Sequence, residues 1–439
     1  MLDINLIRTE PDRVKKAMKA RGLSVDGDID FILACDQEYR TALTQLEQAR
    51  AEQNAAGKIE GKPDAALLAS LKELKERVAE LEKSEETLRE RLFEGVIKTL
   101  PNIPLDDVPV GADATANVVD HEWGTKPEFP FTPKHYMDIA TALGIIDTES
   151  AATVSGTRFG YLKGGAALLE FALVQYAVSK VTDESFIDGL IHQHGLPLTA
   201  KTFMPVIPPV LIRPEMMRAM GFAERAGIEP GNDEMYYLPK DDLYLVGTSE
   251  QSIGPMHYDH IYDAADLPLR YISFSTCFRR ESGAAGKDTR GILRVHQFDK
   301  LEMFTVCEPG ASRDEHRLIL AVEEALMQGL GLHYRVVRLS TGDMGQASAS
   351  TYDIETWMPG QNEYRETHSS SNTTDYQSRA LKTRFRTGEG KPELVHMLNG
   401  TAFSQRPIIA ILEQFQNEDG SVRVPEALRS YCGGRDVIE

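Results

Sequence analysis

The chain of 439 residues has few cysteines, no long apolar run and fewer basic than acidic residues. Cys35, Cys277, Cys307 and Cys432 lie far apart and form no CxxC pair, which argues against a disulfide framework or a thiolate zinc site. No run of 18 apolar residues occurs, which excludes a membrane-spanning helix. Lys and Arg number 48 against 67 Asp and Glu, so the net charge of −19 argues against a polyanionic partner.

The rest of the composition is that of an ordinary globular protein. Hydrophobic residues make up 41% of the chain and charged residues 26%, well away from disordered compositions. The length predicts two domains or three. The N-terminus mixes acidic and basic residues from Asp3 onward and lacks the apolar stretch of a signal peptide. We therefore expect a cytoplasmic protein with no membrane association.

The first hundred residues have helical periodicity. A short helix is predicted over residues 11–21, and a longer one over residues 28–53. Over residues 65–98 the apolar positions follow alternating steps of four and three, with one position filled by Glu85. Glycines and a proline between the two long segments break the helix. The pattern predicts an antiparallel helical hairpin roughly 40 to 50 Å long.

The helical region ends at Leu100-Pro-Asn-Ile-Pro104, because proline forbids continuation of a helix. We place the domain boundary there, with one domain over residues 1–105 and the other over residues 106–439. The hairpin alone has two interpretations. It could be a dimerisation coiled coil or spacer, or it could be a projecting arm that grips an extended partner.

The second region predicts an α+β domain. Strand patterns at irregular spacing, several joined by hairpin-type loops, indicate a central antiparallel sheet with flanking helices rather than repeated βαβ units. The predicted strands cover residues 204–211, 271–279, 291–306 and 333–339, and the predicted helices cover residues 166–181 and 313–329.

Residues 277–303 combine two strand patterns with a charged, glycine-containing loop. A solvated hairpin tip would account for the loop charges at 287, 288 and 290. It does not account for Arg279, Glu281 and Glu302, which lie in or beside strands where an uncompensated charge is costly. Charges on a sheet face predict a site for a polar ligand.

Three further clusters carry chemistry, each with a simpler alternative. Thr248-Ser-Glu250 follows a strand-like run and could be a helix cap. Residues 364–372 hold a carboxylate and hydroxyls suited to Mg²⁺, or form a serine-rich loop. Arg406 precedes an apolar helix, where it could meet phosphate or lie on the surface. His192-Gln-His194 has a metal-ligand spacing, but no cysteine cluster accompanies it, and we expect no zinc.

Taken in order, these clusters resemble the seryl-tRNA synthetases of the common bacterial type, over essentially the whole chain. The resemblance implies a class II catalytic domain behind a tRNA-binding arm, and a homodimer that uses ATP with Mg²⁺. Its reaction would join L-serine to tRNA(Ser) through seryl-adenylate; charging of tRNA(Sec) stays open. The landmarks are Pro205-Val-Ile-Pro-Pro209, Phe278-Arg-Arg-Glu281, Asp288-Thr-Arg-Gly291, His296-Gln-Phe-Asp-Lys-Leu-Glu-Met303, Thr341-Gly-Asp-Met-Gly345, Tyr352-Asp-Ile-Glu355 and Pro359-Gly-Gln-Asn362.

The resemblance also implies roles for single residues. Arg279 would bridge the serine carboxylate and the α-phosphate, Glu281 would accept from the adenine amino group, and Arg406 would hold the γ-phosphate; these three are the expected catalytic residues. The expected L-serine site comprises Thr248, Ser249, Glu250, Arg279, Glu302, Asn399 and Thr401. The expected ATP site comprises Arg279, Arg280, Glu281, Val295, Phe298, Glu366, Thr367, His368, Ser369 and Arg406. The expected Mg²⁺ ligands are Glu366 and Ser369.

The chain departs from the family pattern in several places. Ser249 stands where alanine is usual, Arg280 where a smaller residue is usual, and His368 where serine is usual, and residues 400–406 are one position shorter. Two other functions stay open. One is a relative that loads an amino acid onto a carrier protein, although such relatives lack the long hairpin. The other is a catalytically silent paralogue that only binds RNA or protein.

Overall fold

The chain forms two compact units, each described by itself. The first is Met1–Ile103, and the second comprises the described residues from Pro104 to Glu439. Within the described ranges, no helix combines the length and apolar character needed to cross a membrane. The computed structural model describes residues 1–24, 26–57, 65–222, 235–281 and 291–439.

The first unit is helical, as predicted. Asp3 begins its first helix by accepting a hydrogen bond from the Asn5 N–H, and Pro11 opens the second, where a missing N–H costs nothing. The two long helices run antiparallel, since Arg50 pairs with Glu82, whereas Glu38, earlier in the chain, pairs with the later Arg91. The helices are α1 Ile4–Thr9, α2 Pro11–Ala20, α3 Asp26–Ala56 and α4 Ala65–Arg89.

The contact line between α3 and α4 follows the predicted heptad positions. Leu46, Ala49 and Val78 form a small buried cluster against which Leu81 packs. The charged position at Glu85 is satisfied across the hairpin, because Tyr39 on α3 hydrogen-bonds to its carboxylate. Burial, together with that carboxylate, raises the pKa of Tyr39. The exception in the heptad pattern is therefore a polar contact inside the seam.

The end of the hairpin differs from the sequence prediction. We predicted one α-helix over residues 65–98, but α4 ends at Arg89. A π-helical segment, Glu90–Val96, and a 3₁₀ turn, Ile97–Thr99, follow it. Leu92 and Ile97 remain fully buried. The wider π-helical turns and the tighter 3₁₀ turn keep these side chains on the buried side. The spacing of apolar residues alone therefore cannot distinguish this segment from a continuous α-helix.

The second unit is built on an eight-stranded sheet. The strands of this sheet are β1 Val118–Trp123, β4 Met204–Val206, β9 Leu269–Phe278, β10 Gln297–Cys307, β11 Tyr334–Arg338, β12 Ser350–Met358, β13 Glu363–Thr374 and β16 His396–Ser404. Their order across the sheet is β1-β11-β12-β13-β16-β10-β9-β4. Every neighbouring pair is antiparallel except β4 and β9, which are parallel. The short strands outside it are β2 Ile146–Asp147, β3 Tyr161–Leu162, β5 Leu211–Ile212, β6 Tyr237–Leu238, β7 Leu243–Leu245, β8 Ile261–Asp263, β14 Arg384–Arg386, β15 Glu393–Leu394, β17 Val422–Arg423 and β18 Val437–Ile438.

One face of the sheet packs on the main core, and the other carries polar side chains beside a second apolar cluster that includes Phe304. Leu301 and Met303 of β10 belong to the main core together with Leu318 of the long helix α11 (Ser312–Leu330). Because side chains alternate along a strand, Glu302 between them faces the opposite side. The helices of this unit are α5 Tyr136–Ala142, α6 Thr148–Ser155, α7 Gly165–Val181, α8 Glu184–Gln193, α9 Pro214–Ala219, α10 Glu250–Ile253, α11 Ser312–Leu330, α12 Tyr376–Leu381, α13 Arg406–Gln414 and α14 Glu426–Arg429.

Several predicted strands are shorter or divided. The strand predicted over residues 291–306 begins only at Gln297, because Gly291 has a left-handed backbone (φ +85°) and residues 292–296 reach the core through bends. The strand predicted over residues 204–211 is divided between β4 and β5, in different sheets, with Pro208-Pro209 between them. The serine-rich loop considered over residues 364–372 is wrong, since this segment is part of β13.

Candidate active site

The polar face of the sheet carries a carboxylate and a hydroxyl at adjacent positions. Glu302 on β10 lies directly opposite Thr401 on β16 and opposite Ser273 on β9. Glu302 is 1% exposed and Thr401 is 5% exposed, so both lie at the bottom of the site. Lys300 forms an ion pair with the Glu302 carboxylate. Asn399, two positions before Thr401 on the same strand, shares its face.

A second buried carboxylate, Glu250, enters from α10. Its backbone N–H lies 3.4 Å from the Thr248 Oγ1, and its Oε1 accepts a hydrogen bond from the Gln377 Nε2 at 2.6 Å. Burial raises the pKa of Glu250 to about 7; the Gln377 hydrogen bond opposes this rise, and the negative charge of Glu302 adds to it. Near neutral pH, Glu250 is therefore protonated in about half of the molecules, and a bound cation would favour its ionised form.

Arg279 follows the end of β9 and is held by several contacts. Its Nε donates to the Gly247 carbonyl at 3.1 Å, and its guanidinium carbon lies 5.2 Å from the centre of the Phe298 ring. The Arg279 backbone N–H donates to the His296 carbonyl at 3.0 Å. The hydrogen bond to the Gly247 carbonyl uses only Nε, so the two Nη groups of the guanidinium can bind an anion.

Glu281 has an unusual backbone. Its φ of +51° is left-handed, a conformation that costs a non-glycine residue about 1 to 2 kcal/mol. Its carbonyl accepts from the Arg158 Nη1 at 3.2 Å, and its Oε2 lies 3.3 Å from the Arg294 Nη1. Such strain persists only where the surroundings impose it, often at binding sites.

The Arg280 side chain lies against Tyr236, with its guanidinium carbon 4.9 Å from the centre of the Tyr236 ring. The loop charges at 287, 288 and 290 lie outside the described residues.

An acidic group lies on β12 and β13, in contact with Arg406. The Arg406 Nη1 lies 2.9 Å from the Glu366 Oε1 and 3.0 Å from the Glu366 carbonyl oxygen. Burial acts to raise the pKa of Glu366, but the charge and hydrogen bond of Arg406, with the charges of Arg279 and Arg294, leave that pKa below its ordinary value. Asp353 lies opposite Ser369 in the ladder and hydrogen-bonds to it.

The donor atoms of this acidic group fit a magnesium ion. Burial and the neighbouring Glu366 raise the pKa of Asp353 well above its usual range, and its buried Oδ1 has no hydrogen-bond partner among the described residues. Oxygen donors from Glu366, Ser369 and Asp353 match the preference of Mg²⁺, which keeps several ligands from water or phosphate. Within the described residues, no three His, Cys, Asp or Glu side chains form a metal cluster. A metal here would therefore rely on its substrate for further ligands.

Asp353 is a residue that the site prediction omitted. It lies in the motif Tyr352-Asp-Ile-Glu355, which served only as a landmark. Strand alternation could have revealed it. Asp353 and Glu355 are two positions apart and so share one face of the strand, and core packing does not explain two carboxylates there.

Four residues predicted to touch substrates have buried side chains. The Ser249 hydroxyl is fully buried and lies 2.6 Å from the Ser273 hydroxyl. Thr367 and His368 are 2% and 1% exposed, and the Val295 side chain belongs to the main core. Glu302, Thr401 and Glu250 are buried to a similar degree, so burial alone does not remove a residue from the site. The roles expected of these four residues toward serine and ATP stay predictions.

Comparison with known proteins identifies the family. Residues 1–104 match the family model described as the seryl-tRNA synthetase N-terminal domain, and residues 236–415 match the class II tRNA synthetase core domain for G, H, P, S and T. The serine–tRNA ligase of Clavibacter michiganensis is 44% identical over 444 residues, which cover 100% of this chain and 98% of that protein. The chain belongs to the seryl-tRNA synthetase family.

Solved structures of this family have the same fold. A seryl-tRNA synthetase from Pyrococcus horikoshii, solved with ATP, aligns with a TM-score of 0.85 at 39% identity, over 100% of this chain and 99% of that one. A cytoplasmic serine–tRNA ligase from Naegleria fowleri, solved with AMP, aligns with a TM-score of 0.81 at 31% identity, over 100% and 99% of the two chains. The predicted family, the helical hairpin and the class II catalytic fold are therefore confirmed.

Proposed function

We propose that this synthetase activates L-serine with ATP, forming seryl-adenylate and pyrophosphate, and transfers the seryl group to the 3′ end of tRNA(Ser). The position of Arg279 carries this proposal. Its charge acts on Glu250 in the buried pocket and also on Glu366 in the acidic group. One guanidinium group can therefore draw an amino-acid carboxylate and an α-phosphate together, because its fork binds both anions.

The buried pocket suits serine. Glu250 and Thr248 would bind the ammonium group, while Glu302 and Thr401 would bind the hydroxyl, with Asn399 beside them. Alanine would leave the Glu302 carboxylate and the Thr401 hydroxyl buried without a partner, and sites of this kind reject such an analogue by about 10⁴-fold or more. Threonine would have to be excluded by the shape of the pocket.

The open end of the site suits ATP. Phe298 would stack on the adenine ring, and Glu281 would accept from the adenine amino group at its strained position. Arg406 would exchange its ion pair with Glu366 for the γ-phosphate. Mg²⁺, held by Glu366 and Ser369 with help from Asp353, would offset charge on the triphosphate.

The helical hairpin would bind the tRNA, and residues 1–105 would form that domain. Residues 65–98 carry seven Lys and Arg against eight Glu, so recognition would depend on shape and a few placed cations rather than on a basic surface.

We also propose a cytoplasmic homodimer. In the second unit, β4 is an edge strand of the large sheet, and nearby Ile207 is 87% exposed; an open apolar edge suits a partner subunit. Charging of tRNA(Sec) is a further possibility within the same reaction.

ATP–pyrophosphate exchange tests the activation step. We expect exchange that depends on L-serine and falls by about 10⁴-fold with alanine. Exchange with alanine at a similar rate would refute the assigned serine pocket, and absence of exchange with any amino acid would favour a silent paralogue.

A further inference from the structure

The side chain of His368 bridges the point where β13 and β16 separate. The ladder between these strands runs from Thr374 opposite Met397 to Ser370 opposite Gly400, and it ends there. Two residues further along, the His368 Nε2 lies 3.0 Å from the carbonyl oxygen of Ala402. Beyond the end of the ladder, the His368 side chain thus takes the place of a backbone N–H as the group that contacts the Ala402 carbonyl.

The contacts of the ring fix its proton. A carbonyl oxygen only accepts, so Nε2 must carry the hydrogen. His368 is 1% exposed, so water does not compete for this hydrogen bond. Its Nδ1 lies 3.0 Å from the Thr367 Oγ1, and the Thr367 hydroxyl donates to the Ile354 carbonyl at 3.2 Å. The ring also packs edge-on against Phe403, with the ring centres 5.7 Å apart.

The two strand segments joined by this ring both lead to groups of the ATP site. On β13, His368 lies between Glu366 and Ser369. On the other side, Arg406 begins α13 four residues after Ala402, and its guanidinium group contacts Glu366. Two interactions therefore connect these segments beyond the end of the ladder. The His368–Ala402 hydrogen bond does so in the interior, and the Arg406–Glu366 ion pair does so at the cleft.

We propose that His368 is a positioning residue that sets the distance between Glu366 on β13 and Arg406 beyond β16 and does not itself touch ATP. The inference rests on the proposed function, because it assigns Glu366 and Arg406 to the triphosphate. A buried donor that fixes the spacing of two strands would act on ATP binding and leave the serine pocket at Glu302 and Thr401 undisturbed.

A pair of matched variants tests the proposal in the full-length enzyme. H368Q keeps an N–H that can reach the Ala402 carbonyl, whereas H368F keeps a ring against Phe403 and removes the donor. In ATP–pyrophosphate exchange we expect H368F to raise the KM for ATP by about ten-fold, the cost of a buried acceptor left unpaired, with the KM for serine within about two-fold. H368Q should stay within about three-fold of wild type on both. Equal losses in the two variants, or equal rises in both KM values, would overturn the proposal.

A second measurement does not depend on activity. In ¹⁵N-histidine NMR spectra, the His368 resonances, assigned by their loss in H368Q, should report a ring with hydrogen on Nε2. A ring with its hydrogen on Nδ1 alone would overturn the positioning role even in an enzyme that activates serine. Conversely, a wild type with no exchange but with this tautomer would refute the proposed function and leave the His368–Ala402 contact established. Thermal unfolding of H368F checks that the variant is folded.

Discussion

Glu250 predicts a strong pH dependence of serine use. The group is 5% exposed, and burial raises its pKa to about 7. Only its ionised form attracts the serine ammonium group, so below this pKa serine must displace a proton before it binds. The ionised fraction is about one in eleven at pH 6 and about ten in eleven at pH 8. The value of kcat/KM for serine should therefore rise about ten-fold between these two pH values and then level off.

The assay is serine-dependent ATP–pyrophosphate exchange at saturating ATP and constant ionic strength, from about pH 6 to 9. The control is E250Q, which can still accept a hydrogen bond from Gln377 and so preserves the pocket. We expect E250Q to have a KM for serine about 100-fold higher, the loss of a charge-assisted contact, and no rise through pH 7. A flat wild-type profile would refute the reasoning, and so would an E250Q profile with the same midpoint.

Other residues give predictions that separate the parts of the site. R279A should abolish exchange, because no other group would join the serine carboxylate to the α-phosphate; unchanged exchange would refute that role. Replacing residues 51–81 with a short Gly-Ser linker should leave exchange intact and weaken tRNA charging at least ten-fold, whereas equal charging would refute the arm. E323Q tests a carboxyl on α11 whose burial raises its pKa well above the ordinary value. The folded protein holds that proton more tightly than the unfolded chain, so the free energy of unfolding of wild type should fall by about 1.4 kcal/mol per pH unit from about pH 4.5 up to the pKa of the folded state. The Tm of E323Q should fall less than that of wild type between pH 5 and 8, and equal slopes would contradict this.

The sequence predicted those features that depend on local pattern. Alternating steps of four and three predicted the hairpin, whose contact line includes Leu46 and Val78. The cost of an unpaired charge in a strand indicated that Glu302 belongs to a ligand site, and this residue is indeed buried on the polar face of the sheet. Both inferences use only the residue pattern within one element, which requires no knowledge of its neighbours. The hairpin is confirmed, and the ligand-binding role of Glu302 stays a prediction.

Features that depend on pairing between distant segments could not be predicted. The role inferred for His368 depends on the end of the β13–β16 ladder, which joins residues about thirty positions apart. The same is true of Asp353, whose importance comes from Ser369 and Glu366 on the next strand. Ser249 was grouped with its neighbours, although its hydroxyl turns toward Ser273 on β9. In each case the register of the sheet, rather than local spacing, decides which groups meet.

Transfer of labelled L-serine to purified tRNA(Ser) transcript tests the central claim most directly. With ATP, Mg²⁺ and catalytic amounts of the wild-type protein, the account predicts acid-precipitable seryl-tRNA that accumulates in proportion to enzyme. Each enzyme molecule should charge many tRNA molecules, and the product should be absent with alanine or with R279A. Serine-dependent pyrophosphate exchange without any charging of tRNA(Ser) would contradict the account and indicate that the activated serine is destined for another acceptor.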